Sequence, residues 1–173
     1  MKPLQISLLV SVVLLLAKLA ISIYTNSYSV LAEAIHSLSD IASALLALLA
    51  VRLNKEHLSH KIEAIILLLG SAWVSVELFS HTTQTSNPLL GAFVCFLSLL
   101  LYSLTYRHNY THNHSKAVRA NLTHLMSDIG ASAATGVSLL AMAATGWLWL
   151  DKLVAAIIVV WLLSLAMKLL KEH

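Results

Sequence analysis

Charge is scarce in this chain. Asp, Glu, Lys and Arg together supply 11% of its 173 residues, where an ordinary globular domain carries roughly a quarter. That excludes a domain wetted on all its faces. Cysteine occurs once, as Cys95 inside an apolar run, so no disulfide closes within the chain. The strict alternation of polar and apolar residues that marks a membrane β-barrel is missing as well. Polar loops are short, and six spans fill the 173 residues, so no soluble C-terminal domain is expected within them.

What is present is apolar: 58% of the residues, in runs long enough to cross a ~30 Å hydrocarbon slab as helices of ~20 residues. The reading is an all-α membrane protein of one domain, residues 1–173, with spans at about 4–24, 28–52, 62–81, 89–106, 117–143 and 148–169. Lys2, Arg52, Lys55, Lys61, Arg107, Lys116, Arg119, Lys168 and Lys171 all flank one side of that array. The positive-inside rule makes that side, and both termini, cytoplasmic. The formal net charge of +3 thus sets topology and gives no support to nucleic-acid binding.

Of the two remaining cations, Lys152 falls outside and Lys18 is expected near the outer end of the first span, where its stem can snorkel. The first segment is too long for a signal peptide and lacks a small-x-small cleavage site before Tyr24. Tyr24, Tyr28, Trp147 and Trp149 are expected at the outer interface, and Tyr102, Tyr106 and Tyr110 at the inner one. Glu77 is read as interfacial, and His81 as pointing into the outer loop.

Against this background one pattern occurs twice. Ala32-Glu33-Ala34-Ile35-His36-Ser37-Leu38-Ser39-Asp40 lies in the second segment, and Ala120-Asn121-Leu122-Thr123-His124-Leu125-Met126-Ser127-Asp128 in the fifth. Glu33, His36 and Asp40 align at constant offset with Asn121, His124 and Asp128. Positions i, i+3 and i+7 share one helical face. The second span runs inward and the fifth outward, so the two copies are antiparallel, as in an inverted repeat with its site at the midplane. His36 to Asp40 lies ~12–18 Å below Tyr28, and His124 to Asp128 ~11–17 Å above Ala117, at ~1.5 Å per residue. Both pairs are therefore near the middle of the slab.

Ionisable groups there are expensive and mark function by default. Two imidazoles and two carboxylates suit a tetrahedral divalent metal. The competing reading is a polar cluster gluing helices together, but such hydrogen bonds average well under ~2 kcal/mol, less than a buried carboxylate costs. Ala32, Ala34, Ser37, Ser39, Ala42 and Ser43 in one copy, with Ala120, Ser127, Gly130, Ala131 and Ser132 in the other, are expected to let the two helices approach. Glu33 is read either as an acid beside the ligands and on the proton path, or as an outer-leaflet Glu reaching water. Asn121 is expected to hydrogen-bond a ligand or backbone rather than bind metal.

The paired His-x-x-x-Asp motifs resemble those of the cation diffusion facilitators, the proton-coupled zinc transporter family. Ser27–Leu46 is similar to that family's second span, Lys116–Leu139 to its fifth, and Leu148–Leu170, opening Trp149-Leu150-Asp151, to its sixth. Asn54–Glu63 resembles the loop leading into its third span. The resemblance implies the cation-efflux transmembrane fold, a homodimer, and exchange of a divalent metal for protons, with no permanently bound cofactor and no enzymatic activity. It carries the transport site onto His36, Asp40, His124 and Asp128. A His at the first position of the second-span pair is the family pattern linked to zinc, and the donor set favours Zn²⁺ or Co²⁺ over Mg²⁺ or Ca²⁺. Cd²⁺, Ni²⁺ and Fe²⁺ also fit.

The family's cytoplasmic ferredoxin-like domain has no counterpart in this sequence. His57 and His60 in the second–third loop, and His108, His112 and His114 between the fourth and fifth spans, are either weak cytoplasmic metal sites or solvated polar loops. The expected setting is the cell membrane, with lipid, metal ion and protons as partners. Two readings from other classes stay open: a non-transporting partner subunit of a full-length relative, and a bis-His haem electron carrier.

Overall fold

The computed structural model describes the backbone of residues 3–53, 56–80, 85–111 and 116–171. Side chains at 3–4, 43–44, 46–63, 116–121, 123 and 169 lie outside that description. Helices α1 (Pro3–Thr25), α2 (Tyr28–Leu53), α3 (Glu56–Ser80), α4 (Pro88–Thr111), α5 (Lys116–Thr145) and α6 (Trp149–Lys171) follow one another. Among the described residues there is no strand.

Two boundaries differ from the sequence reading. α3 begins at Glu56 and α4 continues to Thr111, so His57, His60 and His108 sit on helices rather than in loops. Lys and His side chains do not break a helix, and an unmet backbone group at a membrane surface is best satisfied by another turn.

The short links are closed by specific end chemistry. Asn26 adopts a left-handed φ of 53°, a conformation Asn tolerates, and the Ser27 N–H reaches back to the Ser22 carbonyl at 3.2 Å. That is the Schellman ending of α1. Gly146, at φ 72°, ends α5 through its N–H on the Met142 carbonyl at 2.8 Å, the simpler left-handed cap.

Helices α1, α2, α6, α5 and α4 pack in that order around a ring that closes between α4 and α1, and α2 also touches α5 across it. α3 lies outside the ring, against α2 and α6. Ala32 and Ile35 of α2 pack with Leu67 and Val74 of α3 and Ile158, Val159 and Leu162 of α6. On the other side, Val30 joins Ala92 and Cys95 of α4 to Leu139 and Met142 of α5.

Glycine permits the close approaches. A Cβ on Gly70 would collide with Ile35 Cγ2, and one on Gly136 would stand 3.2 Å from Phe96. Gly130, expected among the small residues at the α2–α5 contact, is instead exposed, with nothing within 4 Å of its Cβ position.

Among the described residues, Gln5–Thr25, Pro88–Thr111, His124–Thr145 and Trp149–Lys168 are long and apolar enough to cross a membrane, and the apolar part of α3, Ala64–Ser80, is shorter. α2 owes its place to its neighbours instead: from Tyr28 to Ile41 most of its residues, Glu33 and His36 included, are buried against the surrounding helices. Large apolar side chains are exposed on the outer faces of α3, as at Leu69, Val76 and Phe79, and of α4, as at Leu89, Phe93, Leu100 and Leu104.

Candidate metal site

Helical spacing brings His36 and Asp40 onto one face of α2, and packing of α2 against α5 brings Asp128 to meet them. One ligand atom from each of His36, Asp40 and Asp128 falls within a mutual 4.8 Å. His36 and Asp128 are buried, and Asp40 is 11% exposed. His36 Nε2 lies 3.6 Å from Asp40 Oδ2 and 3.2 Å from Ser127 Oγ. Its ring packs tilted against the Trp161 indole, centroids 4.8 Å apart.

Three atoms of this cluster, His36 Nδ1, Asp40 Oδ2 and Asp128 Oδ1, are buried without a hydrogen bond. Buried polar atoms in folded proteins are nearly always satisfied. Two carboxylates and an imidazole, each with a buried atom left unsatisfied, make the kind of donor set a divalent cation completes.

His124 stands apart from the other three. Its Nδ1 is 3.3 Å from Asp40 Oδ1, and its side chain is 48% exposed. It reaches the cluster through Asp40, on the side nearer the inner ends of α2 and α5. The structure thus gathers three of the four expected ligands and hangs the fourth on one of them.

One turn further out lies a second polar layer, which overturns the expectation for Lys18. Rather than snorkelling, Lys18 is fully buried, with its Nζ 2.5 Å from Glu33 Oε1 and 3.3 Å from Ser132 Oγ. Ser132 Oγ also donates to Glu33 Oε1, and the Cys95 thiol donates to Oε2 at 3.6 Å. Lys18 Nζ lies 5.0 Å from the Tyr102 ring centroid, within cation–π range. Tyr102, expected at the inner interface, is fully buried and packs with Leu14 and Leu125. Glu33 does not reach water either; it is 0% exposed.

A third buried carboxylate, Asp151, was not among the expected site residues. It accepts hydrogen bonds from the Ser27 hydroxyl at 2.8 Å, the Tyr28 N–H at 2.8 Å, the Ser29 N–H at 3.2 Å, the Ser29 hydroxyl and the Thr85 hydroxyl at 2.9 Å. A carboxylate in the first turn of α6 thereby also caps the positive end of α2. It fixes how far α2 enters the bundle, and so the depth of His36 and Asp40. The sequence signs were an acid at the start of an apolar run and its place in the Trp149-Leu150-Asp151 opening that resembles the family's sixth span. Tyr28, at the outer start of α2, is buried, with Lys152 Nζ 5.6 Å from its ring centroid.

The peripheral candidates divide. His108 is exposed in the last turn of α4. Glu77 accepts from the Trp73 indole N–H at 3.4 Å near the outer end of α3, half-buried. The side chains of His57, His60 and Asn121 lie outside the described residues, as do His81, His112 and His114 altogether.

Comparison with known proteins adds two findings. The sequence matches the family described as the cation efflux transmembrane domain over residues 4–173. It is also 34% identical over 184 aligned positions to the cation-efflux pump FieF of Cronobacter sakazakii (strain ATCC BAA-894), an alignment covering 93% of this chain and 60% of that protein. The chain thus spans about 60% of the length of that curated relative.

Proposed function

This chain belongs to the cation efflux transmembrane family, and from that premise we propose that it exports a divalent metal ion, Zn²⁺ in the first instance, in exchange for protons. The observation that carries the proposal is the cluster of His36, Asp40 and Asp128 with three unsatisfied buried donor atoms. His124 completes the ligand set by turning from Asp40 toward the ion.

Charge balance supports the exchange. Two carboxylates with neutral imidazoles carry −2, which one divalent ion cancels. When the ion leaves, the same lone pairs are filled by protons, because metal binding requires deprotonated ligands. Imidazole, with an ordinary pKa of ~6.5, changes state within the working range of pH. Rocking of helices around a fixed midplane site turns this competition into exchange across the membrane. Zn²⁺ is favoured because nitrogen donors and a small ligand number suit it, whereas Ca²⁺ takes six to eight oxygens. Action as a homodimer in the cell membrane belongs to the same reading and rests on family likeness.

The test is metal uptake into proteoliposomes across Zn²⁺, Cd²⁺, Co²⁺, Fe²⁺ and Mn²⁺, with and without a pH gradient. The expected result is Zn²⁺ flux that falls at least tenfold when the gradient is collapsed. Zn²⁺ flux indifferent to the gradient would remove the proton coupling, and absence of flux with any of these ions would remove the transport reading.

A further inference from the structure

We propose that the Lys18–Glu33 pair is the outer gate of the metal path, closed in this structure and parted each time the ion leaves toward the outside. The inference rests on the transport reading of the site and adds to it the residues that hold one end shut.

Position is the first argument. Glu33 precedes His36 by one turn on α2, and Ser132 follows Asp128 by one turn on α5, so the layer lies immediately outward of the cluster. It is made by four helices: Lys18 from α1, Glu33 from α2, Cys95 from α4 and Ser132 from α5. All four residues are fully buried. The opposite side of the cluster is the open one, where Asp40 is 11% and His124 48% exposed. The site therefore has an entrance toward the inner ends of α2 and α5 and a plug toward the outer ends.

Chemistry is the second argument. The plug carries an ammonium group, so a divalent cation leaving outward meets a like charge at close range in a medium that screens poorly. The ion can pass only when Lys18 moves aside. Glu33 holds Lys18 in place, and its other oxygen is occupied by the Cys95 thiol. A buried ion pair is a poor device for stability, since an apolar pair of similar volume serves as well or better, and its best-attested use is to fix one arrangement against another. An interaction joining α1, α2 and α5 across a transport path suits a contact that must be made in one state and broken in the other.

Cys95 supplies the readout. Its Sγ touches Glu33 on the outer half of α4 and is buried, so parting the pair uncovers the only thiol in the chain. A membrane-impermeant methanethiosulfonate reagent is added to one face of sealed vesicles at a time. In the unaltered chain at rest, Cys95 should react slowly from both faces. In the neutral pair Lys18→Met/Glu33→Gln, labelling from the outer face should be at least tenfold faster. The unaltered chain turning over Zn²⁺ under an inward proton gradient should show the same outer-face acceleration.

Unchanged labelling of a folded neutral pair, or acceleration confined to the inner face, overturns the gate. Should the neutral pair fail to fold, the turnover experiment on the unaltered chain decides, and labelling that Zn²⁺ flux does not raise overturns the gate there. Failure of the transport reading is distinguishable, because it shows as absent flux in the unaltered chain while resting labelling and the neutral pair are unaffected by it.

Discussion

Asp40→Ala and Asp128→Ala, made separately, should each weaken Zn²⁺ binding by more than ~100-fold, abolish flux, and leave the metal-free protein as stable as before. The size follows from ligand loss: changing a group that merely hydrogen-bonds a ligand typically costs about 10–100-fold in affinity, and removing a ligand outright costs more. The unchanged stability follows from the geometry. Asp128 Oδ1 and Asp40 Oδ2 make no hydrogen bond, and the Asp40 contacts with His36 Nε2 and His124 Nδ1 are set against the cost of keeping a mostly buried carboxylate charged. The two acids lie within one 4.8 Å cluster, and deleting one relieves the repulsion on the other. Binding by isothermal titration, with thermal unfolding of the same samples, checks both halves. A variant that binds Zn²⁺ normally would remove that Asp from the site. One that binds poorly because it is unfolded would make the cluster structural.

Lys18→Met should act in the opposite way, costing stability before anything else. Removing one partner of a buried pair strands the other as an uncompensated charge, at about 3–5 kcal/mol. In a chain of this size each kcal/mol moves the melting temperature by roughly 2–4 °C, so a fall of about 10 °C is expected. Adding Glu33→Gln to Lys18→Met should recover most of it, because the stranded charge is then gone. The double variant melting well above Lys18→Met is the signature of coupling between contacting residues. A Lys18→Met protein melting with the unaltered chain would mean that Lys18 spends its time at the membrane surface.

That alternative is the one sequence reasoning favoured, and the reason is instructive. α1 is apolar between Leu8 and Ile23 apart from Ser11, Lys18 and Ser22, so hydrophobic periodicity carries little information about which face turns inward. Depth alone put Lys18 about 10 Å from the outer end at ~1.5 Å per residue, within reach of water. Facing decided otherwise: Lys18 continues the face of Leu14 and Leu15, both buried. The paired motif was legible because its information is local. The spacing of His36 with Asp40 and of His124 with Asp128 fixes a face, and the short loops fix opposite directions, so convergence followed without tertiary knowledge. The six helices were legible for the same reason.

Asp151 was not, since its partners Ser27, Ser29 and Thr85 come from distant parts of the chain and share no spacing with it. His124 shows a finer limit. Its position in the repeat assigned it to the cluster, but a side chain on a helix still chooses its rotamer, and here it takes Asp40 as partner and stays half exposed.

The proposed site stands or falls on which atoms hold the ion, and the zinc K-edge absorption fine structure of the Zn²⁺-loaded protein reports those atoms. Four nitrogen and oxygen ligands at ~2.0–2.2 Å are expected, with the multiple-scattering pattern of two imidazoles, from His36 and His124 beside Asp40 and Asp128. A sulfur shell at ~2.3 Å, which only Cys95 or a methionine could supply, or a zinc shell without imidazole, would place the ion elsewhere and undo the site.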